Sequence, residues 1–276
     1  MLAGGPMFQA DLHCHSTCSD GTFTPRNLLL HAKEIGLSGI SITDHDTIEA
    51  YIEAPQVARQ LGLKLGSGVE FSSIFQGLSI HILGYDFDLQ SPAIQELCKR
   101  HQKRRLERNR GILDKLRRLG MPLLEEDLLA IGGASVGRPH IAQLMTQKGY
   151  VATPVQAFNL YIGDGKPCFE SGEGISSEET IAIIHQGGGK AFLAHPHLLK
   201  HSGKVKELLK LPFKGIECYY ARYLASQQTR WLKMAQEKGL LVSGGSDFHG
   251  AFKEHVPLGS SWVDEERFHQ IFQRVL

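Results

Sequence analysis

Imidazoles and carboxylates recur together at short intervals along this chain: Asp11-Leu12-His13-Cys14-His15, Thr43-Asp44-His45-Asp46, His81, Ala194-His195-Pro196-His197 and Ser246-Asp247-Phe248-His249. Each group sits beside a short apolar run, where a strand should end and a loop begin. Residues two apart on a strand point to one face, so His13 with His15, and Asp247 with His249, can close on a single cation. Nitrogen and oxygen donors without paired thiolates suit zinc, manganese or iron rather than a cysteine-bound structural zinc. The chemistry this implies is metal-assisted hydrolysis. Asp44 and Asp46 flank His45 and could orient it or accept a proton from an attacking water, and His197 could face a substrate as leaving-group acid. Arg138 and Lys166, each beside a glycine, are the candidates for holding a substrate phosphate or ribose, because a guanidinium matches a phosphate with two parallel hydrogen bonds.

Something must bring these groups together. Seven strand-like runs can be picked out: Phe8 to Leu12, Gly39 to Thr43, Leu63 to Val69, Leu78 to Leu83, Lys190 to Ala194, Gly215 to Tyr219 and Leu240 to Ser243. Helical signals separate most of them. Thr24, Pro25 and Gly36 mark the start and stop of one helix. Ser176 with Glu179 opens another, which Gly187-Gly188-Gly189 closes. Strands alternating with helices predict an α/β fold with a mainly parallel sheet. Ligand candidates follow five of the runs, and a closed or nearly closed barrel of TIM-like type gathers such strand ends at one mouth. The alternation breaks between residues 91 and 174, where Pro92 to Leu119, Glu125 to Ile131 and Arg138 to Lys148 read as helices. Glycine-rich breaks, including Gly132-Gly133, punctuate this stretch. The expected organisation is therefore a barrel from residues 1–90 and 175–276, with a helical insertion, or cap, over 91–174. Within the insertion, Lys99 to Arg110 holds seven Lys or Arg and one Glu. Its ordinary reading is a solvated helix face, and its sharper one a track for RNA phosphates.

With 276 residues and 42% apolar content, the chain can bury an ordinary core, which excludes a disordered polymer. A net charge of +1 argues no global attraction to nucleic acid or membrane, so an anionic substrate must be held by local charge. Five cysteines without zinc-finger spacing suit reduced thiols. Met1 to Pro6 lacks the basic and apolar character of a signal peptide, and no segment offers the ~20 apolar residues of a membrane span. A cytoplasmic protein without an obligatory protein partner is the expectation.

Taken in order, Asp11-Leu12-His13-Cys14-His15-Ser16, Ser19-Asp20-Gly21, Ile42-Thr43-Asp44-His45-Asp46, Gly68-Val69-Glu70, His81, Ala194-His195-Pro196 and Ser246-Asp247-Phe248-His249-Gly250 resemble the PHP (polymerase and histidinol phosphatase) family of phosphoesterases across nearly the whole chain. The insertion with Gly137-Arg138-Pro139-His140-Ile141-Ala142 is similar to that of the bacterial group containing nucleoside 3',5'-bisphosphate phosphatases and a related 5'-to-3' exoribonuclease. The resemblance implies a distorted seven-stranded β/α barrel and three divalent ions, manganese for activity, with zinc or iron as alternatives. It implies that His13, His15, Glu70 and Asp247 hold one ion, that Glu70 bridges to a second held by His81 and His195, and that Asp20, His45 and His249 hold the third. A hydroxide between metals would be the nucleophile. The implied substrate is a nucleoside 3',5'-bisphosphate losing its 3'-phosphate. Short 5'-phosphorylated RNA is the alternative, and a non-catalytic metal-stabilised module is the rival from another class.

Overall fold

A computed structural model describes residues 7–131, 135–172, 174–199, 202–221 and 223–276. The expectations placed on Met1 to Pro6 and on Gly132-Gly133 lie outside these residues. The chain forms a mixed α/β fold with two sheets. One sheet is parallel and carries β1 (Ala10–Cys14), β2 (Gly39–Ile42) and β3 (Lys64–Leu65). The other orders β4 (Gly68–Phe75), β5 (Leu78–Tyr85), β6 (Lys190–Leu193), β7 (Gly215–Tyr220) and β8 (Leu241–Gly245).

Two features depart from the sequence expectation. The apolar run Leu63 to Val69 breaks at Gly66-Ser67 into β3 and β4, so β4 continues to Phe75 and the described residues form eight strands. The second sheet is also not mainly parallel, since β4–β5 and β5–β6 are antiparallel. The reason is local. Phe75 pairs with Leu78 across Gln76 (φ 49) and Gly77 (φ 78), a two-residue primed turn far too short for a parallel crossover. The ladders do not close into one ring. Isolated bridges connect the sheets instead: Cys14 to Phe248 on one side and His45 to Glu70 on the other. At the first of these, Asp247 N donates to His13 O (2.7 Å) and His15 N to Phe248 O (2.9 Å). Gly245 permits this approach, because a Cβ there would stand 2.3 Å from His13 N.

Helices cover the strands. α1 (Pro25–Glu34) starts where Thr24 accepts from Asn27 N, with Pro25 at the first position. α2 (Ala54–Leu61) packs beside it. Then comes a helical stretch of α3 (Pro92–Arg118), α4 (Glu125–Ile131), α5 (Arg138–Gln147), α6 (Pro154–Ala157) and a π-helical turn, Phe158–Ile162. The two ends of α3 belong to different cores. Ile94, Leu97 and Cys98 pack with the strands of the second sheet, whereas Ile112, Leu113 and Leu116 pack with Leu128, Ile141 and Met145 of the following helices. The remaining helices are α7 (Ser177–Gln186), α8 (Ser202–Leu208), α9 (Ala225–Lys238) and α10 (Glu265–Ile271). No described helix is long and apolar enough to cross a membrane.

Candidate metal centre and substrate cleft

All nine ligand candidates named from the sequence meet in one place. His13 lies in β1 and His15 just beyond it; Glu70 lies in β4 and His81 in β5; His45, His195, Asp247 and His249 follow β2, β6 and β8. Asp20 comes from the loop after β1. The backbone is strained where ligands leave the strands. Asp46 (φ 59), His195 (φ 25) and Asp247 (φ 57) all occupy the left-handed region that L-residues avoid, a device that re-aims side chains at sites.

Three groups of donors stand within 4.8 Å of one another: His13, His15, Glu70 and Asp247; His45, Glu70 and His81; and His15, Asp20, His45 and His249. In the first, both His13 Nε2 and His15 Nε2 lie 3.2 Å from Glu70 Oε2, and Asp247 Oδ1 lies 3.3 Å from His15 Nε2. Around the second, His81 Nδ1 and His195 Nε2 each approach Glu70 Oε1 at 2.8 Å, and His45 Nδ1 approaches Oε2 at 3.3 Å. In the third, Asp20 receives His249 Nε2 at 3.4 Å and His15 Nδ1 at 3.6 Å.

These separations test whether a cation fits. With bonds of about 2.1 Å, two donors on one ion stand about 3.0 to 3.4 Å apart, depending on octahedral or tetrahedral angles. Most of the contacts match. The two ring nitrogens of His15 and the Nδ1 of His45 are buried without hydrogen-bond partners, so each ring has a lone pair to offer a cation. Burial alone would push the Glu70 carboxyl up, yet His45, His13 and His81 hold it well below the usual range, so it stands as a carboxylate able to face a cation. The donor set therefore fits hard or borderline divalent ions.

A shell of other groups fixes the ligands. Glu217, in β7, accepts from His13 Nδ1 (2.8 Å) and from the His195 backbone (2.7 Å), which leaves His13 Nε2 facing Glu70. Asp247 Oδ2 accepts from Tyr220 (2.8 Å) and Lys253 (2.7 Å), and so its Oδ1 is free to face the imidazoles. Glu217 went unnoticed in the sequence, although a glutamate inside the apolar run Gly215 to Tyr219 is itself the signal.

Asp44 and Asp46 sit here but are engaged elsewhere. Asp44 accepts from Ser16 N, Ser16 Oγ and Ser19 Oγ, at 2.6 to 2.7 Å, and ties down the loop before Asp20. Asp46 accepts from Ser72 N (2.7 Å) and Arg105 Nε (2.7 Å), joining His45's loop to α3. His197 shares a 2.7 Å hydrogen bond with the Tyr223 hydroxyl through Nδ1, and burial, then the neighbouring His195, lower its pKa to about 4.

From Asp20, His45 and His81 a cleft of about 250 Å³ runs to Arg104, Arg105, Arg108 and Arg138, with Phe158 and Phe169 on its wall. Arg105 is tied to Asp46, and Arg138 pairs with Asp164 at 2.6 Å. Arg104 and Arg108 keep buried Nε atoms without partners among the described residues. Burial, followed by the field of Arg105, Arg138 and Arg104, drives the Arg108 pKa well below its usual value. Part of the basic stretch on α3 is therefore not a solvated face. Lys166 is exposed and is not among the residues that line this cleft.

The model of the PHP domain matches residues 11–150. The 5'-3' exoribonuclease of Haemophilus influenzae is 36% identical over 244 residues, covering 87% of this chain and 89% of its own. The 3',5'-nucleoside bisphosphate phosphatase of Chromobacterium violaceum is 30% identical, covering 88% of each chain. A solved chain from Bifidobacterium adolescentis, assigned as a metal-dependent phosphoesterase, superposes with a TM-score of 0.87 at 29% identity, over 97% of this chain and 96% of its own. The chain belongs to the PHP-domain family and is a metal-dependent phosphoesterase, a hydrolase of phosphoric esters.

Proposed function

We propose that the enzyme hydrolyses the phosphate ester on the 3' oxygen of a 5'-phosphorylated nucleotide, with nucleoside 3',5'-bisphosphates as substrates that lose their 3'-phosphate. The observation that carries this reading is the cleft: it joins the acid–imidazole cluster to Arg104 and Arg108, which have no ion pair among the described residues, and so suits a substrate with two phosphates some distance apart. One phosphate would sit at the cluster. The other would supply the anion that Arg104 and Arg108 lack among the described residues, through charge-assisted hydrogen bonds, with Arg138 beside them in its pair with Asp164.

In this reading three divalent ions, manganese for activity, are held by His13, His15, Glu70 and Asp247, by Glu70, His81 and His195, and by Asp20, His45 and His249. Bound ions supply charge neutralisation at the phosphoryl oxygens and acidify a water. The chain's own residues do the rest. Glu70 would serve both donor groups that share it, Glu217 keeps His13 and His195 in place, Asp44 ties the loop before Asp20, and Asp46 is a positioning residue through Arg105. Residues 91–174 act as a cap that contributes the arginines to a distorted barrel of residues 1–90 and 175–276.

The test is phosphate release from adenosine 3',5'-bisphosphate and from 3'-AMP, each with Mn²⁺. A strong preference for the bisphosphate is expected; equal turnover of both would remove the role given to the arginines, and turnover of neither would remove the function. Short 5'-phosphorylated RNA is a second substrate on the same reading, favoured by the Haemophilus relative's activity and by a leaving 3' oxygen identical in kind.

A further inference from the structure

The cleft touches the metal cluster through Asp20, His45 and His81. Another flank touches it through His195 and Asp247, and there several aromatic groups gather that the bisphosphate reaction does not use. Tyr220 lies 4.6 Å from the His197 ring and 5.4 Å from Tyr223, ring centre to ring centre, with Tyr223 edge-on to His197 at 4.6 Å. Tyr223 and His197 are half-buried, and next to them Leu198 and Leu224 are 58% and 70% exposed. Lys253 stands at the edge of this ledge. One of its three donors is taken by Asp247 Oδ2, and its side chain keeps 34% of its surface open.

We infer that this ledge is the subsite that receives the nucleotide on the 3' side of the scissile phosphate when short RNA is the substrate. The inference rests on the proposed function and extends it. If the first nucleotide lies in the arginine cleft, the scissile phosphorus carries O3' toward that cleft. In a diester its other ester oxygen, O5', leads the second nucleoside toward the flank that the cleft leaves free. Water adds to phosphorus, the P–O3' bond breaks, O3' departs with a proton, and the products are a 5'-nucleotide and a remainder bearing a new 5'-phosphate. A base of any identity can rest on half-exposed tyrosine and leucine surface, because stacking needs only a π-face, and a lysine at its edge suits the next phosphate. For the mononucleotide this ledge would face only water.

The experiment compares kcat/KM for adenosine 3',5'-bisphosphate (pAp) and the 5'-phosphorylated dinucleotide pApA, in the manganese-loaded enzyme and in Tyr223→Ala, Leu224→Asp and Tyr223→Phe. Leu224 is exposed, so its replacement tests the surface rather than the fold, and thermal unfolding checks each variant. The ratio of pApA to pAp should fall about tenfold in Tyr223→Ala and Leu224→Asp, in line with the loss of one stacked base, and should be kept in Tyr223→Phe, which retains the ring. A ratio unchanged in the first two, or lowered equally in Tyr223→Phe, would overturn the subsite. Wild-type turnover of pAp with none of pApA would overturn it too while leaving the proposed function standing, whereas turnover of neither compound would refute the function itself.

Discussion

Around Glu70, imidazole nitrogens stand 2.8 to 3.3 Å from its two oxygens, whereas on α3 Arg104 and Arg108 have buried Nε atoms without partners among the described residues, and Arg108 lies in the field of Arg105, Arg138 and Arg104. The first region mixes acids with bases, and even so leaves His15 without a hydrogen bond; the second concentrates one sign. Both are incomplete, in opposite senses. One calls for cations and the other for an anion, and a divalent-metal phosphoesterase with a doubly phosphorylated substrate satisfies both at once. Outer members of the same helix behave differently: Arg100 pairs with Glu179 at 2.8 Å and Arg110 with Glu125 at 3.0 Å. The lone arginines are thus a local arrangement and not a property of the basic stretch as a whole.

The contrast can be broken at several points. Glu70→Gln removes charge from two donor groups together, and kcat should drop on the order of 10³-fold, several kcal/mol of metal-dependent stabilisation, as measured by phosphate release at saturating Mn²⁺. Chelation followed by dialysis should abolish turnover, and Mn²⁺ titrated back should restore it; activity that survives chelation would exclude the cluster from the chemistry. Glu217→Gln should weaken metal affinity about 10- to 100-fold, read by titrating metal-free protein, because one amide oxygen cannot accept from both His13 Nδ1 and the His195 backbone and carries no charge. Arg108→Met should raise KM for the bisphosphate about tenfold, with a smaller effect on 3'-AMP, since one charge-assisted hydrogen bond is lost. The same variant should melt at an equal or higher temperature. Its cation is disfavoured by burial, so folding gains when it is removed, and a lower melting temperature would mean that Arg108 has a partner in the free protein.

The ligands were legible because their chemistry is written in short spacing. His13 with His15 and Asp247 with His249 repeat at the period of a strand, and any fold that ends strands together brings them to one mouth. Glu70 and His81 depended on resemblance instead, since nothing nearby marks a single acid after a valine. The arginines were hidden for a different reason. Composition counts charge along α3, but only packing decides that Arg104 and Arg108 turn inward while Arg110 turns out. Asp44 and Asp46 look like general bases beside His45, yet four serine and arginine side chains occupy their oxygens in the folded chain. The hairpin was missed because Gln76-Gly77 lacks the Asn-Gly or Asp-Gly signature, although its Gly supplies one of the two positive φ angles the turn needs.

His15 presents Nε2 to Glu70 and Asp247 and Nδ1 to Asp20. A neutral ring has one lone pair to give, so it can serve one ion and must offer its other nitrogen as a proton donor. If an ion beside Glu70 takes that lone pair, one beside Asp20 must rely on Asp20, His45 and His249; if the latter takes it, the former keeps His13, Glu70 and Asp247. Loading should accordingly proceed in order of affinity, with the last ion exchanging fastest and setting the concentration of free metal at which the enzyme becomes competent.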